Sequence, residues 1–164
     1  MIIGVLDHNF KDEIAAEPGG ENIKRCFSCG TCTAGCPVCE TTDRYNPRKI
    51  IRMALLGMRK QVLANDLIWL CAACYTCHER CPQDVRIPEL MTAIKNIAVR
   101  EGRTPVAFIT PIDRLKEHGR LYEIGEFENQ KRTVLSLPEI KACTRETQRL
   151  FSSMQTDRLV APRK

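Results

Sequence analysis

The chain has 164 residues, 43% of them hydrophobic but only 5% aromatic, with a formal charge of +5 and ten cysteines. That length suits one domain, or one domain with tails, built on a modest aliphatic core. No stretch approaches the roughly 18 apolar residues of a membrane-spanning helix. Lys and Arg are scattered, with no long basic run and no interleaved aromatics, which argues against a nucleic-acid-binding surface.

Residues 1–21 read as an N-terminal arm. Ile2, Ile3, Val5 and Leu6 suit a short strand, and Asp7 and His8 come too soon for a signal peptide. Pro18-Gly19-Gly20 predicts a turn that breaks the arm. The arm is expected to cover the first cysteine run, Cys26-x-x-Cys29-x-x-Cys32-x-x-x-Cys36-Pro37. The same run returns as Cys71-x-x-Cys74-x-x-Cys77-x-x-x-Cys81-Pro82.

Between the two runs, Asn46-Pro47 is a helix start with Asn at the N-cap and Pro at the first helical position. Ile50, Ile51, Ala54, Leu55 and Met58 recur at helical spacing, and Gly57 is placed to close that helix. Asn65-Asp66 marks a second start, leading Leu67, Ile68, Trp69 and Leu70 into Cys71. Beyond the second run, Pro88 opens a helix with Leu90, Met91, Ile94, Ile97 and Ala98 on its apolar face, ended by Gly102. Thr104-Pro105 and Thr110-Pro111 each resemble an N-cap with Pro after it. Residues 105–118 are therefore two short helices or one kinked helix, closing at His118-Gly119. Residues 120–164 are less periodic; Pro138 is a candidate start for a helix carrying Ile140, Leu150, Phe151 and Met154.

The doubled run carries the chemistry. Its spacing is the bacterial pattern for [4Fe–4S] ligation, and in two-cluster ferredoxins the fourth cysteine of each run ligates the other cluster. One cluster is accordingly expected on Cys26, Cys29, Cys32 and Cys81, and the other on Cys71, Cys74, Cys77 and Cys36. Zinc also binds Cys-x-x-Cys pairs, but usually two pairs separated by a longer loop. A disulfide framework is disfavoured because the x-x spacing converges the thiols on one centre. Two oxidised clusters carrying about −2 each would reduce the net charge to about +1.

Gly30 and Gly35 let backbone N–H groups approach sulfur, whereas the second loop has Ala72-Ala73, so the two environments are expected to differ. Cys39 and Cys143 are left over and read as idle thiols. His78 reads as a surface loop residue and Trp69 as a core wedge beside Cys71. No nucleotide loop, nucleophile elbow or zinc-protease motif occurs. All eight motif cysteines are used as ligands, so any substrate chemistry belongs to a partner and the chain itself is a relay with no catalytic residue. A reducing, cytoplasmic setting is expected.

Three stretches resemble one family: Cys26-Phe-Ser-Cys-Gly-Thr-Cys-Thr-Ala-Gly-Cys-Pro37, Pro47-Arg-Lys-Ile-Ile-Arg-Met-Ala-Leu-Leu-Gly57, and Ile68-Trp-Leu-Cys-Ala-Ala-Cys-Tyr-Thr-Cys-His-Glu-Arg-Cys-Pro82. The helix-rich linker from Pro37 to Leu70 resembles the alpha-helical ferredoxin fold. Within that fold the stretches look like the C subunit of heterodisulfide reductase. The resemblance implies a mainly α dicluster domain at 22–119 between the arm and a C-terminal extension, 120–164, that docks on partners. It also implies a relay between a flavin- and cluster-bearing A subunit and a cysteine-rich, disulfide-reducing B subunit. In methanogens that disulfide joins coenzyme M and coenzyme B, and a hydrogenase or formate dehydrogenase can feed the flavoprotein. A free ferredoxin-like carrier is the alternative, though such carriers are usually shorter and acidic. The iron–sulfur subunit of a membrane quinone reductase would usually add a plant-type [2Fe–2S] domain, a pattern this sequence does not contain.

Overall fold

Asn46 shows how local chemistry sets the first long helix. Its side chain accepts a hydrogen bond of 2.9 Å from the Lys49 backbone N–H, and Pro47 occupies the first turn. A computed structural model, describing residues 6–64, 66–141 and 144–154, places this helix, α4, at Pro47–Leu55. Ten α-helices and two short 3-10 turns are present among the described residues, which include no strand. The protein is therefore mainly α, as expected. Of the residues proposed for a strand in the arm, Ile2, Ile3 and Val5 lie outside the described residues, and Leu6 is not in a strand.

Two compact units divide between Arg103 and Thr104. In the first, α1 (Phe10–Ala16) precedes the turn at Pro18–Gly20, and α2 (Thr31–Ala34) and α3 (Pro37–Thr41) come after the first cysteine loop. After α4 come α5 (Arg59–Leu63), a 3-10 turn at Asp66–Leu70, α6 (Thr76–Glu79) and α7 (Ile87–Arg100). The helical spacing read from the sequence is the spacing that is buried. Ile50, Ile51 and Ala54 of α4 pack in one core with Leu90, Met91, Ile94, Ile97 and Ala98 of α7. Phe10 and Ile14 of α1 are fully buried in the same core, so the arm is part of it. Each fully buried aliphatic side chain of this kind contributes roughly 1.5–3 kcal/mol.

Both long helices end alike. Gly57 N–H reaches Ala54 O and Met58 N–H reaches Met53 O, while Gly102 N–H reaches Val99 O and Arg103 N–H reaches Ala98 O. These are paired bonds of the Schellman type, which need the left-handed backbone that both glycines adopt.

Arg59 ties the arm to both helix ends. Its Nε donates to Glu101 Oε1 at 2.7 Å and its Nη1 to Asp7 Oδ2 at 3.3 Å. It forms a two-pronged pair with Glu13 and lies 5.1 Å from the Phe10 ring centroid. The hydrogen bonds to Glu13 hold the guanidinium above its already high ordinary pKa. Arg59→Met leaves three carboxylates facing one another without their cation. A loss of about 2–4 kcal/mol is expected in chemical denaturation, since stranding half-buried charge costs more than the ion pair contributed. An unchanged midpoint would show that the carboxylates simply turn to solvent.

In the second unit, α8 (Val106–His118) is one helix with Pro111 inside it, resolving the choice left by the sequence. Pro105 takes the N-cap position expected for Thr104, and Gly119 closes the helix with φ +73°. The Thr110 hydroxyl donates to Val106 O at 3.1 Å near the position where Pro111 removes a backbone donor. The helix expected from Pro138 does not form there. Residues 137–141 are instead held irregularly by side chains. Asn129 brackets Ile140, donating to its O at 3.2 Å and accepting from its N–H at 2.9 Å, and Arg132 Nε donates to Pro138 O at 2.9 Å. The helices present are α9 (Glu126–Val134), capped by Glu128 on the Gly125 N–H, and α10 (Thr144–Ser153). Leu150 and Phe151 lie on α10, Ile140 precedes it and Met154 comes after it.

Candidate iron–sulfur centre

The two cysteine runs fold into loops of matching backbone. In the first, Ser28 and Gly30 flank Cys29 with φ of 62° and 92°; in the second, Ala73 and Tyr75 flank Cys74 with φ of 49° and 64°. Three of these four are not glycine, and each such residue costs of order 1 kcal/mol that the surroundings must offset. Left-handed residues alternating with ordinary ones turn successive N–H groups to one side, a concavity that suits anionic sulfur. Each loop then ends in a short helix, α2 or α6.

The sulfurs repeat the match. Cys29 and Cys74, the second cysteine of each run, are both exposed. Thr31 Oγ1 lies 3.4 Å from Cys29 Sγ and Thr76 Oγ1 lies 3.6 Å from Cys74 Sγ. Hydrogen bonding with those hydroxyls, aided by backbone N–H groups, holds both thiols below their ordinary range. The third cysteine of each run behaves oppositely. Burial pushes the Cys32 thiol up, and pushes the Cys77 thiol up to about 12. These inner thiols become ligands only if bound iron supplies the positive charge that burial denies them.

Cys26, Cys29, Cys32 and Cys81 line one pocket, together with Ile51, Val85 and Ile87. The fourth sulfur comes from the opposite motif, and the Val85 N–H lies 3.5 Å from it. Among the described residues no three His, Cys, Asp or Glu side chains converge as they would around a single metal ion. Four thiols around one pocket match the four ligands a cubane needs, one thiolate per iron.

Around the second run, the neighbours of Tyr45 locate the remaining sulfurs. Tyr45 is buried, and its phenol is held above its ordinary range first by burial and then by Cys71, with Cys36 and Cys77 contributing. Cys36, although in the first motif, thus shares a neighbour with Cys71 and Cys77. Cys77 also has Cys32 among the charges acting on it, and the short helices that carry these two cysteines, α2 and α6, pack together. Lys95 Nζ donates to Cys71 O at 3.4 Å and lies 5.9 Å from the Trp69 ring centroid, placing a cation behind the second loop.

The leftover residues are also placed. Cys39 Sγ donates to Tyr45 O at 3.2 Å, and burial pushes its thiol up to about 12. Cys143 lies outside the described residues. His78 Nδ1 is 3.5 Å from Glu89 Oε2. Where Gly35 lacks a Cβ, the Arg80 guanidinium takes the space. Thr31, Thr76 and Tyr45 join the site although reasoning from sequence passes over them. For Thr31 and Thr76 the signal was visible, the Cys-x-Thr step common to both runs; Tyr45 had none.

Residues 22–85 match the 4Fe-4S dicluster domain family. The CoB–CoM heterodisulfide reductase iron-sulfur C subunit of Methanopyrus kandleri is 31% identical over 169 residues, covering 94% of this chain and 88% of that protein. The chain belongs to the family of heterodisulfide reductase C subunits. The C subunit of a ferredoxin:CoB-CoM heterodisulfide reductase of Methanosarcina mazei is 37% identical over 126 residues, 74% of each protein. The second iron-sulfur C subunit of Methanocaldococcus jannaschii is 47% identical over 87 residues, 53% of this chain and 46% of that protein. For that protein and two others the match spans about half the relative's length. An iron–sulfur role for the family is in keeping with the cysteine pattern. No helix among the described residues is long and apolar enough to cross a membrane.

Proposed function

We propose that this protein holds two [4Fe–4S] clusters and relays electrons between a flavin-containing A subunit and a disulfide-reducing B subunit of a heterodisulfide-reductase-like complex. One cluster would sit on Cys26, Cys29, Cys32 and Cys81, the other on Cys71, Cys74, Cys77 and Cys36. The observation that carries the reading is the matched pair of loops. Each has an exposed outer cysteine, Cys29 or Cys74, and the helices that carry the inner cysteines Cys32 and Cys77, α2 and α6, pack together. The arrangement suits a path with two outward ends and a buried middle.

The chemistry each cubane would supply is uptake and release of a single electron. The chain's residues set its conditions. The Thr31 and Thr76 hydroxyls and the loop N–H groups lie at the outer sulfurs, while Ile51, Val85 and Ile87 give the pocket around Cys32 an apolar wall. Such contacts tune a metal site's potential. The second unit suits docking on a neighbouring protein of the complex. Residues 120–154 expose Leu121, Tyr122, Phe127, Val134 and Leu135, and the extension expected from residue 120 lies within this unit.

Affinity purification of the chain from its native cells tests the reading. Under anaerobic conditions it is expected to co-elute with a flavoprotein and a cysteine-rich protein. Removing it should abolish electron flow from reduced flavin to the disulfide. If the chain elutes as a free monomer that exchanges electrons by itself, the free-carrier alternative replaces this reading.

A further inference from the structure

The exposed face of α4 adjoins the first cysteine loop and is strongly positive. Arg48, Lys49 and Arg52 are part of this face, as is Arg44 just before the helix. The depressions around this face form a continuous series. Ser28, Arg48, Lys49 and Arg52 line one, Arg44 and Lys49 line the next, and Arg48 also lines a hollow with Cys29, Gly30 and Thr31. No acidic side chain lines any of the three. None of these four cations enters an ion pair found among the described residues, whereas Lys24, Arg25, Arg59 and Arg100 are all paired.

The face is fixed in register with the loop. Thr33, in the helix after the loop, donates to Asn46 Oδ1 at 3.0 Å and accepts from the Arg48 N–H at 3.3 Å, locking the start of α4 to the first motif. The Arg48 side chain crosses the space beside Gly30, 3.6 Å from where a Cβ would stand. Phe27, 60% exposed, lies on the same loop as the exposed Cys29. Uncompensated positive charge therefore begins beside the outward end of the first cluster site at Arg48 and continues along α4.

We infer that this face docks an acidic protein surface that carries a redox centre, steering it onto the Cys29 end of the relay. The inference rests on the ligand assignment above and adds the chemistry of one partner. Charge complementarity selects the occupant. A like-charged partner is repelled at the point where electrons must cross, whereas an acidic one meets four cations without displacing an existing ion pair. Steering of this kind raises association rates by roughly 10–10³-fold and fades with salt.

The test uses the full chain with its clusters reconstituted anaerobically, and an acidic plant-type [2Fe–2S] ferredoxin as the redox probe. Stopped-flow electron transfer from the reduced ferredoxin is expected to slow steeply as ionic strength rises. In Arg44→Gln/Lys49→Gln/Arg52→Gln, which leaves Arg48 beside the first loop in place, the rate at low salt should drop at least tenfold and its salt dependence should flatten. Reduction by methyl viologen radical cation, which the wild-type face repels, should be no slower in the variant, and the EPR signals should be unchanged. A wild-type rate indifferent to salt overturns the inference, as does a triple variant within twofold of wild type. An equal loss with methyl viologen overturns it too, since the substitutions would then act on the clusters themselves. So does binding of a 20-base-pair duplex or phosphatidylglycerol vesicles that depends on these residues while ferredoxin kinetics do not. Failure here with co-elution intact removes only the docking face; success here without co-elution removes the complex and leaves a carrier.

Discussion

Cys81→Ala is expected to abolish the cluster held by Cys26, Cys29 and Cys32 while sparing the one in its own motif. Cys81 shares its pocket with the three cysteines of the first run, more than 40 positions away in sequence. Iron per chain should fall from roughly eight to roughly four, with one cluster per ligand set. EPR of the reduced variant should show one isolated cluster, without the magnetic interaction of two neighbours. Cys36→Ala should give the complementary result under the proposed assignment, in keeping with the joint action of Cys36, Cys71 and Cys77 on Tyr45. Cys39→Ala, removing a protonated thiol outside both sets, should retain both clusters. Loss in Cys81→Ala confined to the Cys71, Cys74 and Cys77 site would refute the crossed assignment. In the proposed assignment each crossing ligand also bridges the two motifs, so both variants should unfold at lower denaturant than the parent, since metal binding is coupled to folding.

Gly57→Ala is expected to be strongly damaging although it lies away from the cysteines. Gly57 has φ of +75°, where a side chain costs about 1–2 kcal/mol. A Cβ there would stand 2.4 Å from Asp7 O and 2.8 Å from Asp7 C, backbone atoms that cannot swing aside. Overpacking of that kind adds about 1–3 kcal/mol. The Asp7 N–H also donates to Gly57 O at 2.8 Å, so moving Asp7 breaks the bond that seats the arm. The combined loss is about 3 kcal/mol, or at least about 10 °C in Tm for a unit of this size. Thermal unfolding tracked by the cluster's visible absorbance would register both effects. A loss under about 1 kcal/mol would mean that the arm yields, and that its packing on α4 is weaker than the burial of Phe10 and Ile14 indicates.

What the sequence by itself determined was whatever depends on neighbours within one or two turns. The spacing of Cys26 through Cys36 and of Cys71 through Cys81 declared the cluster chemistry. The Asn46-Pro47 start, the Gly57 and Gly102 stops and the apolar positions of α4 and α7 were legible because caps and helical periodicity act over three to seven residues. The same locality explains the misses. Pro138 looks like a helix start, but Asn129 and Arg132 hold residues 137–141 open from a preceding helix. Pro111 is compatible locally with a break or with a continuous helix, and the sequence offered no means to choose.

Tertiary structure alone decided what depends on distant partners. It made the arm part of the core through Phe10 and Ile14, and gathered Asp7, Glu13 and Glu101 around Arg59. It brought Cys81 to the first loop, and put Cys36 of the first run and Cys71 and Cys77 of the second within electrostatic reach of the buried Tyr45. It also set Arg48 beside the exposed Cys29 and joined it to Arg44, Lys49 and Arg52 in one series of depressions, where the sequence shows only scattered basic residues. Contacts across such separations depend on how faces pack against one another, and no local pattern in the chain encodes that.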